Sequence, residues 1–460
     1  MSVERFDAIV IGTGQSGPSL AARLAGAGRT VAVVERKRFG GTCVNTGCIP
    51  TKTLVASARA AYVARRLADF GVVVEGAVRV DMKAVKARKD RVAGASEQGV
   101  ESWLRGTKGC AVIRGHARFE APRRVRVGDR VLEAERVFLN VGGRASVPGI
   151  PGLASVPFLT NSSMMDVDFL PEHLVILGGS YIALEFAQMY RRFGSEVTVI
   201  ERGLRLISRD DEDVSAAIHD ILAGEGVRIL TDTEIRRVEE RGGRPVVHVR
   251  RAGAESEVVG SHLLVALGRV PNTEDLGLDH AGVEVDGRGY VVVDEELRTT
   301  AEGVWALGDC NGKGAFTHTS YNDYEIVAAN LLLGEQRKVS DRILAYGLFI
   351  DPPLGRCGQT EREVRESGRR ALVARLPMSR VGRAKERSET LGFMKVLVDA
   401  DTERILGAAL LGIEADEVVH VILDVMYAKA PYTLIQRAMH IHPTVSELLP
   451  TLFEKLAPLA

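Results

Sequence analysis

The sequence predicts an α/β fold in which two doubly wound dinucleotide-binding units precede a C-terminal α+β lobe. Three observations lead there. A strand–glycine turn–helix–strand pattern fills residues 6–35 and returns at residues 174–201. From about Ala345 the texture changes to apolar strands and a long helix, with no low-complexity linker before it. At 460 residues the chain also exceeds one hydrophobic core, so roughly two to four domains are expected.

In the first unit, Ala8 to Ile11 is a continuous apolar run of the kind a buried parallel strand needs. GTGQSG follows, with Gly12, Gly14 and Gly17 at dinucleotide-fingerprint spacing. Leu20, Ala21, Leu24 and Ala25 recur at helical period, and Val31 to Val34 form the next strand, closed by Glu35. Glycines there let backbone approach a pyrophosphate at the helix start, while the carboxylate accepts from a ribose hydroxyl. The second unit runs from Leu174 through GGSYIA to VTVIE. Gly12 to Glu35 and Gly178 to Glu201 both span 23 positions, 166 residues apart, so both units are Rossmann-like. The second departs from the fingerprint, with Ser180 at the middle glycine and Ala183 at the last.

Two later segments, FLNVGGR (Phe138 to Arg144) and LVALGRVPN (ending at Asn272), each run a strand into a Gly-Arg turn, at Gly143 and Gly268. Leu54 to Arg66 reads as helix, and residues 72–80 and 111–137 as alternating antiparallel strands. VWALGDC (Val304 to Cys310) is a strand ending in Gly308-Asp309, where an acid can bind a chain of hydroxyls. In the last lobe, GFMKVLVDA and ILGAALLG read as strands, Ala415 to Ala430 as helix, and MHIHPTVSELLP follows.

The stretch around which the chain is organised is GGTCVNTGCIPTK, Gly40 to Lys52. Cys43 and Cys48 have four residues between them and lie just ahead of Pro50, a good first-turn residue. Thiols that close form a small-loop disulfide, which suits reversible chemistry, and a helix start favours the reactive thiolate. The pair is read as a working redox couple. The alternatives are two unrelated core cysteines or half of a metal site, although no second ligand pair follows at zinc spacing.

Composition narrows the classes. Lys+Arg and Asp+Glu balance at 60 each, which removes the electrostatic case for nucleic acid or an anionic membrane. Five cysteines exclude a disulfide-stapled secreted scaffold, and Cys110, Cys310 and Cys357 read as small packed hydrophobes. The N-terminal apolar run is far below signal-peptide or membrane-span length, so a soluble, cytoplasmic protein is expected.

The cysteine stretch, the two dinucleotide units, ALGDC and HIHPTVSE occur in the order found in the FAD-dependent pyridine nucleotide–disulfide oxidoreductases. Over essentially its full length the chain resembles that family, which includes dihydrolipoamide dehydrogenase, glutathione reductase and mercuric reductase. The resemblance implies an FAD-binding domain at residues 1–147, an NAD(P)-binding domain at 148–272, a central segment at 273–344 and a dimerisation domain at 345–460. Gly12, Gly14, Gly17 and Glu35 would hold the adenosine half of FAD, and Gly41, Thr42, Gly143 and Asp309 its remaining length. Gly178, Gly179, Glu201 and Gly268 would hold the nicotinamide cofactor. Electrons would pass through the flavin to a Cys43–Cys48 disulfide, Cys48 nearest the flavin and Cys43 attacking substrate. Lys52, one helical turn beyond Cys48, would pair with Glu185, and Tyr181 would lid the empty nicotinamide pocket. His442, oriented by Glu447, would move protons at the disulfide of the other subunit, which requires a homodimer.

Glu201 favours ribose hydroxyls and so NADH, while Arg202 and Arg205 keep NADPH open. For the acceptor, FTHTSYNDYEIV, PPLGRCGQTE, SRVGRA and GFMKVLVDADTERILGA are similar to the mercuric-reductase-like subgroup, which includes a copper-reducing flavoprotein of reactive-chlorine resistance. The chain has no cysteine after Cys357, where mercuric reductases carry a vicinal pair, and it keeps His442. The expected acceptor is a small disulfide or a thiophilic metal ion, with no resident metal site. Dihydrolipoamide dehydrogenase is the alternative enzyme, and a non-catalytic FAD-binding redox sensor is the alternative class. Retention of Lys52, Glu185, His442 and Glu447 together argues against a sensor, which needs no acid–base dyad.

Overall fold

The computed structural model describes residues 3–459. Strands β1 (Val3–Ile11), β2 (Val31–Glu35), β3 (Cys110–Arg114), β4 (Ala117–Ala121), β5 (Arg124–Val127) and β6 (Arg130–Leu139) form a sheet in the order β3-β2-β1-β6-β5-β4. β1 runs parallel to both β2 and β6, and helix α1 (Gly17–Gly26) makes the crossover. Ala8 to Ile11 and Val31 to Val34 are buried without alternation, as a parallel sheet covered on both faces requires. Helices α2 (Gly41–Asn45), α3 (Cys48–Arg65) and α4 (Met82–Gly106) fill the long connection from β2 to β3.

After β7 (Gly143–Ala145) comes a second parallel sheet, whose first three strands are β8 (His173–Leu177), β9 (Glu196–Ile200) and β10 (Arg228–Leu230). Helices α5 (Tyr181–Phe193) and α6 (Glu212–Gly224) connect them. An antiparallel ribbon of β11 (Thr233–Arg241), β12 (Arg244–Arg251) and β13 (Ala254–Val259) leads into the fourth strand, β14 (His262–Val265), which pairs with β8. β15 (Arg269–Pro271) then pairs antiparallel with β7, Pro271 opposite Gly143, so the two Gly-Arg turns meet. After the short helix α7 (Leu278–Ala281), β16 (Val304–Ala306) returns to the first sheet beside β6. Helix α8 (Thr317–Leu333) packs with α1 through Leu20, Leu24, Ile326 and Val327.

The remaining chain builds a six-stranded sheet from β17 (Ala345–Leu348), β18 (Leu354–Gly358), β19 (Ala371–Pro377), β20 (Phe393–Asp399), β21 (Ile405–Leu411) and β22 (Ala457–Pro458). Its pairings are antiparallel, and the helix Ala415–Tyr427 lays Val418, Val419 and Ile422 into its core.

Four expectations change. Residues 72–80 form no strand; Val72, Val73 and Val74 stand 48%, 88% and 49% exposed. Three consecutive valines cannot all face one side of a sheet, and no strand pairs with them. Within 111–137, β4, β5 and β6 pair antiparallel as expected, whereas β3 lies parallel to β2. The helix read from Leu54 starts at Cys48, with Pro50 in its first turn as expected, and the last long helix stops at Tyr427, short of Ala430.

Candidate redox site and cofactor cradle

Cys43 lies inside α2 and Cys48 is the first residue of α3. Gly47 permits the tight join, since a Cβ there would fall 2.9 Å from the Thr42 carbonyl oxygen. Both cysteines are free thiols, Cys48 exposed and Cys43 partly so. They titrate unequally. A hydrogen bond from Cys43 draws the Cys48 thiol down to about 6 against the opposing cost of burial, with help from Thr317 and the Lys52 charge. The same hydrogen bond, with burial, pushes Cys43 up, so negative charge is favoured on Cys48 over Cys43. Thr317 Oγ1, at the start of α8, is 3.1 Å from Cys48 Sγ.

Lys52, one turn along α3, reaches both oxygens of Glu185 on α5 at 2.7 Å. Glu185 is 6% exposed and also accepts from the Phe349 backbone at 3.1 Å. The ammonium sits over the Phe349 ring, 4.5 Å from its centroid. Tyr181, one turn before Glu185, shares its helix face, and its hydroxyl donates to Asp210 at 3.1 Å.

The first glycine loop is shaped by Asn140, at the end of β6. A Cβ on Gly12 would lie 2.3 Å from the Asn140 carbonyl oxygen, and one on Gly14 would lie 2.8 Å from its Oδ1. Gly17 N donates to that Oδ1 at 3.0 Å, and Asn140 Nδ2 donates to Leu307 at 3.0 Å. Glu35 accepts from Thr13 N at 3.0 Å, Thr13 Oγ1 at 2.6 Å and Lys37 N at 2.8 Å, which ties the second strand end to the loop. A Cβ on Gly41 would approach Gly14 Cα to 2.8 Å. Thr42 Oγ1 donates to Gly143 O at 3.5 Å, and Arg269 joins Gly143 O (2.7 Å) to Asp309 (3.3 Å). Gly12, Gly14, Gly17, Glu35, Gly41, Thr42, Gly143 and Asp309 thus belong to one connected set. Bare glycine backbone at a helix start that Ser16 does not cap fits a pyrophosphate, and the flanking acids fit sugar-like hydroxyls.

The second loop repeats the plan. Glu201 accepts from Gly179 N and Gly203 N, both at 2.6 Å, as Glu35 does from its own loop. A Cβ on Gly178 would lie 2.5 Å from Ala266 O. Ser180 precedes α5 without capping it, and Gly268, with φ +108°, has open space where a Cβ would stand.

His442 and Glu447 lie in the last lobe, Nδ1 to Oε2 at 2.8 Å. The imidazole is 80% exposed and its carboxylate 15%, so Nε2 faces outward. Sequence reasoning missed Thr317, Asn140, Phe349 and Asp210. Asn140 had a signal, a lone amide at the end of an apolar strand before two glycines; Thr317 had none, being 269 residues from Cys48.

The family model for pyridine nucleotide-disulphide oxidoreductase matches residues 6–323, and that for the family's dimerisation domain matches residues 344–453. The chain belongs to this family. It is 36% identical over 459 residues, 98% of this chain and 99% of the relative, to the probable pyridine nucleotide-disulfide oxidoreductase RclA of Escherichia coli (strain K12). It is 33% identical to a mercuric reductase of Streptomyces lividans, covering 96% of this chain and 94% of the relative. A dihydrolipoyl dehydrogenase of Thermus scotoductus is 32% identical, with 97% and 96% covered. Among solved structures, the Cu(II) complex of the HOCl-induced flavoprotein disulfide reductase RclA from Escherichia coli matches with a TM-score of 0.90 at 36% identity, covering 98% of this chain and 99% of that one. The α/β fold is that of this family, whose members are FAD-dependent and use a pyridine nucleotide, and the protein is an NAD(P)H-dependent flavoprotein disulfide oxidoreductase. Among the described residues no helix is long and apolar enough to cross a membrane.

Proposed function

We propose that Cys43 and Cys48 are the exit through which reducing equivalents leave the protein, toward a small disulfide or a thiophilic metal ion. The observation that carries this is the placing of the pair: Cys48 opens α3 with Thr317 Oγ1 3.1 Å from its sulfur and Lys52 one turn on, which favour negative charge there, while the hydrogen bond between the cysteines and burial push Cys43 up. FAD, bound along Gly12, Gly14, Gly17, Glu35, Gly41, Thr42, Gly143 and Asp309, supplies the two-electron relay between the nicotinamide and this pair. Lys52 brings positive charge to the thiolate side and Glu185 fixes its place. By its place in the family motif Cys43 attacks the acceptor, its thiol proton passing to His442. His442 holds the proton at Nε2 while Glu447 orients the ring through Nδ1. Met439 and Ile441, 99% and 79% exposed beside that histidine, and the matched dimerisation domain support a second copy covering this loop.

NADH is the preferred reductant in this reading. Glu201 is fixed by two backbone amides and would repel a 2′-phosphate, while Arg205 is engaged with Glu212 at 2.7 Å. The Cu(II) complex of the relative RclA supports a metal ion among the acceptors. The second reading, dihydrolipoamide dehydrogenase, is favoured by the intact His442–Glu447 pair. The test is steady-state turnover of lipoamide, glutathione disulfide, copper(II) and mercury(II), each with NADH and with NADPH. Turnover of copper(II) or a disulfide, faster with NADH, is expected; no turnover of any acceptor would overturn the proposal in favour of a redox sensor.

A further inference from the structure

Tyr181 is held by more than its own helix. Its hydroxyl donates to Asp210 Oδ2, and the Tyr346 hydroxyl donates to Oδ1 of the same carboxylate, each at 3.1 Å. Asp210, just before α6, is 2% exposed, and its permanent counter-charge is Arg356, 1% exposed, with Nε 3.4 Å from Oδ1. The antiparallel register of β17 and β18 sets Tyr346 opposite Arg356, which aims both side chains at one acceptor. Two of the three groups on Asp210 therefore come from the C-terminal lobe. The rings pack as well: Tyr181 meets Tyr346 edge-on at 5.5 Å, and Phe316 stacks on Tyr346 at 5.6 Å. Phe316 directly precedes Thr317, the residue against Cys48.

We infer that Asp210 is a positioning residue for nicotinamide binding: through the Tyr181 hydroxyl it holds that ring over the pocket, and Tyr346 of the C-terminal lobe sets how firmly. This rests on the reading of Tyr181 as the lid. Binding of the nicotinamide requires the ring to swing aside and the bond to a buried carboxylate to break, so observed affinity is scaled by the fraction of molecules already open. Tyr346 draws on the same carboxylate, so losing its hydroxyl leaves Tyr181 bound more strongly.

The test measures the NADH concentration that half-saturates flavin reduction by rapid mixing in the FAD-loaded enzyme. Tyr181→Phe is expected to lower it by about threefold to tenfold, and Tyr346→Phe to raise it by about twofold to fivefold. The double variant should match Tyr181→Phe alone, because without the Tyr181 hydroxyl there is no hold left to strengthen. A general packing defect would instead shift both single variants the same way and multiply in the double. Unchanged values, or effects that multiply, would overturn the role of Asp210. Tyr181→Ala separates the two levels: a shift there with none in Tyr181→Phe leaves the lid standing and removes the latch, whereas no shift in either removes the lid reading itself.

Discussion

Thr317 shows how a single oxygen from a distant loop can add to the stabilisation of a thiolate. It stands 3.1 Å from Cys48, and with Cys43 and Lys52 it draws that thiol down to about 6. Because the thiolate is the reactive form, alkylation of the reduced enzyme at Cys48 should be fast above pH 6 and slow as pH falls through it. Thr317→Val should move that midpoint upward, measured as the pH dependence of iodoacetamide labelling at Cys48. Cys43→Ser should keep flavin reduction by NADH but reduce acceptor turnover at least ~100-fold, since the proposed attacking nucleophile is gone. The two cysteines were legible because chemistry required them near each other in sequence. Thr317 and Asp210 were not, since only folding brings residues from distant loops against Cys48 and Tyr181.

Helices α3 and α5 set the next level. Leu54, Ala58, Ala183, Leu184 and Ala187 join one core, and that packing brings Lys52 within 2.7 Å of Glu185. Lys52→Met would leave a carboxylate that is 6% exposed with the Phe349 amide and no cation. Leaving this carboxylate without its partly exposed partner costs about 1–3 kcal/mol, which a urea unfolding midpoint of the FAD-loaded enzyme would register. Elements with a period and a glycine signature were readable in the sequence: β1, α1 and β2, then β8, α5 and β9. Residues 72–80 were misread because alternation marks a strand only where a neighbour offers its edge, and Val73, 88% exposed, has none. The meeting of β7 with β15 could not be read either, since neither three-residue strand carries a pattern of its own.

At the scale of the whole molecule, the proposed function has the outward-facing His442 act on Cys43 of a second copy. Mixing Cys43→Ser subunits with His442→Ala subunits should restore turnover, because half of random dimers are mixed and each holds one intact site. About a quarter of wild-type activity is expected after subunit exchange. Activity no higher than either parent would place His442 and Cys43 in the same subunit or in unrelated roles. In the proposed function electrons leave through the Cys43–Cys48 pair with the negative charge on Cys48. Anaerobic titration of the FAD-loaded protein with NADH tests it most directly. A two-electron-reduced state is expected, with a long-wavelength thiolate–flavin absorption band that fades as pH falls through about 6. Reduction that proceeds with no such band, or a band unaffected by Cys48→Ser, would contradict it.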